Sequence, residues 1–189
     1  MSFETMTRLV APLVRNAPFS LQVDELREAA AAFFQRTEAW FAELDEVSLV
    51  VGATEIELDL PAGSALVSVL ECYVDGDLLP PCSYSISWGS PDILRLTGFG
   101  RPVVVRTIVA LKPSFSSAAL PANIEAEYAR PVSFGAISRL KSMSGAEWFD
   151  PNGAAIFHEQ FKSEMAKTRR RMVQRRSGPC LRVSPVSFM

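Results

Sequence analysis

The chain has 189 residues, 48% of them hydrophobic, with 21 acidic and 19 basic side chains for a formal net charge of −2. That is the composition of a globular protein of one domain or two small ones. The composition excludes a membrane span, since no apolar run approaches the roughly 20 residues one requires, and the N-terminus lacks the basic flank, apolar core and small-residue site of an export signal.

Net charge excludes little else, because the basic residues concentrate after Lys162 and the first half is rich in Asp and Glu. Cys72, Cys82 and Cys180 form an odd set without CxxC spacing, the pattern of free thiols in a reducing compartment rather than of disulfides or metal ligands.

In chain order, residues 4–15 carry Met6, Leu9, Val10, Leu13 and Val14 at helical spacing, with Pro12 as a kink. Ser20 is placed to cap a longer helix in which Val23, Leu26, Ala30, Phe33 and Thr37 recur at steps of three and four, with Asp24 and Glu25 in its first turn. That helix is expected to end near Thr37, because Trp40, Ala42 and Leu44 alternate as along a strand. Val47–Val51, a turn at Gly52-Ala53, and Thr54–Leu60 read as a half-buried hairpin. Leu66–Val74 continues to Asp75-Gly76, a favoured tight-turn dipeptide, and returns over Asp77–Leu79. After Pro80-Pro81, Tyr84, Ile86 and Trp88 alternate. Ile93–Thr97 and Val103–Leu111 then give two strands joined by a hairpin turn at Gly98-Phe99-Gly100.

Past a Ser/Pro loop, Ile124, Tyr128, Val132, Ala136, Leu140 and Met143 form a stripe from Asn123 to Met143 that keeps its phase through Pro131, which predicts a kinked helix. Asp150-Pro151 is a strong start for a last helix reaching Arg176. In it Ala154, Phe157, Phe161, Met165, Thr168 and Met172 share a face, leaving His158, Glu159, Lys162, Glu164 and Lys167 toward water. The resulting fold class is α+β. Residues 1–38 and 121–176 make a helical bundle, 39–112 an inserted antiparallel sandwich or barrel-like β module, and 177–189 an extended C-terminal arm.

Arg169, Arg170, Arg171, Arg175 and Arg176 crowd the end of the last helix. They either complement its dipole in solvent or form a docking surface for an acidic partner or phosphates. Leu181, Val183, Val186 and Phe188 make the arm too apolar for a purely solvating tail, and they join the arginines as partner-docking candidates. Catalytic chemistry is not legible. His158 lacks the second histidine of a zinc-protease helix, and Gly98-Phe99-Gly100 leads into a strand where a nucleotide fingerprint requires a helix. Glu55, Glu57 and Asp59 share a strand's outer face, and no serine lies in a nucleophile elbow. The expectation is a structural protein without turnover, metal or cofactor.

The order of segments resembles the head-to-tail adaptor (connector) family of tailed bacteriophages, of the tail tubular protein A type. The resemblance is carried by Ala29-Ala30-Ala31-Ala32-Phe33-Phe34 through Trp40, Leu44–Gly52, Tyr73-Val74-Asp75-Gly76-Asp77-Leu78-Leu79, Ala110-Leu111-Lys112-Pro113-Ser114, Leu120-Pro121, Glu127-Tyr128, Gly135–Leu140 and Trp148-Phe149-Asp150-Pro151. It covers about Ser20 to Arg176. Pro131 and the long tail after Ser177 depart from the family's pattern. The resemblance implies twelve copies in a homo-oligomeric ring under the portal protein, joined to tail or nozzle proteins, at the virion neck after assembly in the host cytoplasm. Genomic DNA would pass through the lumen without sequence-specific contacts, and no membrane would be involved. Two readings of other classes stand beside it. One is a nucleic-acid-binding regulator using the arginine-rich helix on phosphates. The other is a carbohydrate-binding or hydrolytic β module with a pocket near Trp88 and Phe99.

Overall fold

The computed structural model describes residues 2–87 and 89–176. Helix α1 (Phe3–Val10) is capped by Ser2, whose hydroxyl accepts the Glu4 amide at 3.2 Å, and it buries Phe3, Met6 and Val10. It ends before Pro12 rather than kinking there, and Leu9 and Leu13 stay exposed. Helix α2 (Phe19–Thr37) starts two residues earlier than a cap at Ser20 predicts, with Pro18 at the cap position and no side-chain cap. Pro18, at φ −56°, sets the chain's entry, so Ser20 lies inside the first turn and Asp24 and Glu25 fall beyond it. At its other end Glu38 takes a left-handed φ of 53° and donates its amide to Phe34 O at 2.8 Å.

Among the described residues eight antiparallel strands follow in two sheets. The first contains β1 (Phe41–Glu43), β2 (Val47–Leu49), β4 (Ser64–Val74), β5 (Asp77–Leu78) and β8 (Val103–Pro113). The second contains β3 (Glu55–Glu57), β6 (Tyr84–Ser87) and β7 (Ser90–Leu96), in the order β3-β7-β6. The spine is β8, with β4 along one edge and β1 and β2 in succession along the other. Two register shifts in β4, between Leu66 and Ser68 and between Val69 and Glu71, accompany a sheet curled into a half-barrel. Its concave face buries Val103, Val105, Thr107, Val109 and Leu111. The expected turn at Asp75-Gly76 is present, with φ 50° and 89°, and Asp75 is pinned to β8 by the Val104 amide at 2.9 Å.

Two expected hairpins are not hairpins. Strands β2 and β3 do not pair: β2 joins β8 and β3 joins β7, so the turn at Gly52 (φ 81°) carries the chain from one sheet to the other. Likewise Gly98-Phe99-Gly100 returns the chain from β7 to β8. The two crossings meet where the Gly52 amide donates to Phe99 O at 3.1 Å.

Helix α3 (Ala122–Lys141) runs through Pro131 as one helix, burying Tyr128 and Val132 on either side of it, and α4 (Pro151–Arg176) lies against it. The lost hydrogen bond at Pro131, worth about 3 kcal/mol in an isolated helix, is outweighed by that burial. Asp150 ties the two helices together. Its amide donates to Lys141 O at 2.9 Å, its carboxylate takes the Lys141 ammonium at 2.8 Å, and it accepts the Gly153 amide at 2.9 Å. Those bonds, that of Lys141 foremost, hold its carboxyl below the usual range.

The fold is α+β, with helices flanking the β module. The core is centred on α2. Phe33 lies 5.5 Å from Tyr128 and 6.0 Å from Phe161 by ring centroids, and Phe34 lies 5.7 Å from Tyr128 and 5.9 Å from Trp40. Trp40 leads directly into β1, so one aromatic chain joins bundle and sheet. Complete burial of each such ring contributes about 1.5–3 kcal/mol.

Candidate partner-docking site

The six-residue stripe of α4 is buried or half-buried as its spacing requires, which fixes the rotation of the helix and therefore the direction of every arginine after it. Successive residues on a helix diverge by about 100°, so the five arginines fan out instead of forming one patch. Arg169 and Arg176 turn inward to Glu38, and Arg171 pairs with Glu127 of α3 at 3.0 Å. Among the described residues Arg170 and Arg175 have no carboxylate partner. Leu181, Val183, Val186 and Phe188 lie outside the described residues.

Glu38 is the residue the sequence did not single out. Its carboxylate receives Arg169, Arg176 at 2.6 Å and the Ser68 hydroxyl of β4 at 2.9 Å, while Arg176 also donates to its main-chain carbonyl at 3.3 Å. Burial pushes this carboxyl up, but the bonds from Arg176, Ser68 and Arg169 together outweigh it and leave it below its ordinary value. One acid thus clamps the end of α4 onto the end of α2 and the edge of the sheet. The only forewarning was its place just past a helix end, where an acid is ill-suited to the dipole without a cation beside it.

Two grooves flank the clamp. A smaller one, about 220 Å³, lies between Met172, Arg175 and the convex sheet face at Phe41, Leu70 and Ile108. The larger, about 790 Å³, lies between α2 and α4. Ala32, Phe161 and Met165 form its apolar part, Arg36, Lys162 and Arg170 give it positive charge, and no carboxylate lines it. Arg36 has no carboxylate partner among the described residues, and Lys162 is engaged only by its exposed neighbour Glu159 at 3.0 Å. The spacing of α4 places Lys162 toward solvent, where it is exposed, and nothing in the pattern of α2 singles out Arg36; each lines the groove from a helix whose neighbour the spacing does not name.

The remaining candidates do not converge. His158 is exposed on α4, and among the described residues no three His, Cys, Asp or Glu side chains are grouped to hold a metal ion. Glu55, Glu57 and Asp59 face outward, with Glu55 paired to Arg95 at 2.8 Å. Phe99 is half-buried at the sheet crossing, and Trp88 lies outside the described residues. Cys72 is buried, which pushes its thiol up to about 11, and Cys82 is exposed. Among the described residues no helix is long and apolar enough to cross a membrane. No protein-family model matches the chain, and a search of curated proteins returns no match.

Proposed function

We propose that this chain is a structural head-to-tail adaptor of a tailed phage, one of the copies of a homo-oligomeric ring that docks under the portal, joins capsid to tail and lets DNA pass. The observation that carries this reading is the alignment of the family-like segments with the elements of the fold. Tyr73–Leu79 is the pinned turn from β4 to β5 and Ala110–Ser114 closes the spine strand. Leu120-Pro121 precedes α3, and Trp148–Pro151 launches α4. Segments that resemble the family in order thus carry the turns and helix starts on which an α+β adaptor depends.

A ring wall reuses one contact between unlike surfaces and closes when the rotation per subunit fits. Phe19, Phe41, Val50, Val51 and Phe115 are exposed apolar side chains, with Phe115 87% accessible, and supply contact surface of that kind. Portal attachment is assigned to the arginine-rich end of α4 with residues 177–189. The division of the five arginines, three of them engaged within the chain, argues against a phosphate-binding stripe for a regulator.

The test is electron microscopy of tailed particles assembled with a tagged copy of this chain. Label at the neck in a ring below the portal is the expected outcome. Particles whose necks lack the chain would refute the reading.

A further inference from the structure

The groove between α2 and α4 has an apolar part at Ala32, Phe161 and Met165 and positive charge at Arg36, Lys162 and Arg170, and no carboxylate lines it. Its chemical complement is an acidic surface with a short apolar projection. The chain carries one at the other end of the β module. Asp45 and Glu46 are exposed just before β2, and Glu57 and Asp59 are exposed just beyond the crossing; none of the four has a cationic partner among the described residues. Asp45, Glu57 and Asp59 border one cleft between the two sheets. From the same end project Val50 and Val51, 73% and 58% accessible, at the turn that carries the chain between sheets.

The two surfaces cannot meet within one molecule by the run of β8. The groove side adjoins its last residues, where Lys112 donates to Gln35 at 3.2 Å, next to Arg36. The acidic segment 45–51 adjoins its first residues, where Val47 and Leu49 of β2 pair with Val105 and Val103. At about 3.3 Å per residue, the run from Val105 or Val103 to Lys112 separates them by roughly 23–30 Å along the strand. Complementary patches at opposite ends of a rigid strand suit contact between copies, head to tail.

We propose that the α2–α4 groove of one copy receives the acidic segment 45–51 of the next, with Val50 and Val51 against Ala32, Phe161 and Met165 and with Asp45 and Glu46 facing Arg36 and Arg170. This deepens the ring reading above and rests on it, by naming the two surfaces that repeat around the ring.

The experiment uses the full chain and two charge-reversed variants, Arg36→Glu with Arg170→Glu and Asp45→Lys with Glu46→Lys, all at exposed positions. Self-association is followed by sedimentation velocity over a range of concentration and salt. Each variant alone should associate at least about tenfold more weakly than the wild type, and the wild-type association should weaken as salt rises. A one-to-one mixture should associate again as alternating copies, since the unchanged segment of one variant fits the unchanged groove of the other and the reversed segment fits the reversed groove. A chain bearing all four substitutions should associate again. A wild-type chain that stays monomeric to its solubility limit overturns the proposal, as does a mixture that forms no pair while both variants melt like the wild type. Duplex DNA is the control ligand: loss of duplex binding in the Arg36/Arg170 variant with self-association unchanged also overturns it. A ring at the particle neck with these surfaces unused would reject the contact and leave the adaptor reading standing, whereas a neck without the chain would reject the adaptor reading.

Discussion

Arg176 and Glu38, 138 positions apart, meet twice: one guanidinium nitrogen donates to the carboxylate at 2.6 Å and another to the main-chain carbonyl at 3.3 Å. The bond to the carbonyl engages a group just past the end of α2, and the bond to the carboxylate shares its acceptor oxygen with Arg169. The end of α4 is therefore held by an acid that is itself fixed by the backbone of another helix.

Replacing Glu38 by Gln should cost about 1–3 kcal/mol, measured by urea unfolding, because it leaves two guanidinium groups without their counter-charge near a half-buried edge. Amide exchange should quicken in the last two turns of α4 before anywhere else.

The same residue sets a pH dependence. Its folded-state value is lowered, so the unfolded chain binds the proton more readily and stability rises with pH across the window. The contribution is complete above the ordinary glutamate value of about 4.3 and is lost as pH falls through the lower folded-state value. Acid titration of the melting temperature should be shallower in Glu38→Gln than in the wild type below pH of about 4.3.

Gly135→Ala should destabilise. A Cβ there would stand 2.9 Å from two atoms of the Phe161 ring and 3.0 Å from the Ala29 Cβ, so α3 approaches both neighbours only because nothing projects from it. Alanine gains about 1 kcal/mol of helix propensity, and overpacking costs about 1–3 kcal/mol. With a buried ring on one side and a helix on the other, the expected net loss is about 1 kcal/mol, read by thermal or chemical denaturation.

Thiol labelling of the native chain near pH 8 should modify Cys82 quickly and Cys72 only after denaturant is added. Cys82 is exposed, whereas Cys72 sits on the concave face with its thiol held up to about 11 by burial. Equal rates at both positions in peptide mapping would contradict this placement.

Truncation after Ser177 should leave the melting temperature unchanged and weaken co-sedimentation with portal rings. Ordering each residue costs about 1–2 kcal/mol, so Leu181, Val183, Val186 and Phe188 contribute to attachment only by burial on the partner. A truncated chain that unfolds, or that binds portal rings as tightly as the full one, would end this assignment.

Much of the fold was legible because burial leaves a period in the sequence. The α4 stripe, the end of α2 at Thr37 and the alternation from Trp40 to Leu44 all came from spacing that burial imposes. Pairing was less legible. Alternation in Ile56 and Leu58 says that one face is buried, but not which strand lies alongside, and two adjacent strands joined at a glycine look alike whether they pair or part. The residues proposed to meet a partner were illegible for the same reason. Arg36 and Arg170 line one groove from two helices far apart in sequence, and Glu38 acquires its role only when Arg169 and Arg176 arrive from the far end of the chain.

The position of β8 in the order of synthesis has a consequence for the nascent chain. Among the described residues β1 and β2 pair with β8 and with no other strand, and β8 is the last of the described strands to leave the ribosome. Until residue 113 has emerged, both expose unpaired edges bearing Phe41, Val47 and Leu49, and β4 around Cys72 lacks the neighbouring strand it pairs with. Translational pausing upstream of Val103 would lengthen that exposure, and chaperone crosslinking to stalled chains should fall once the codons through Pro113 have been read and the strand has cleared the exit tunnel.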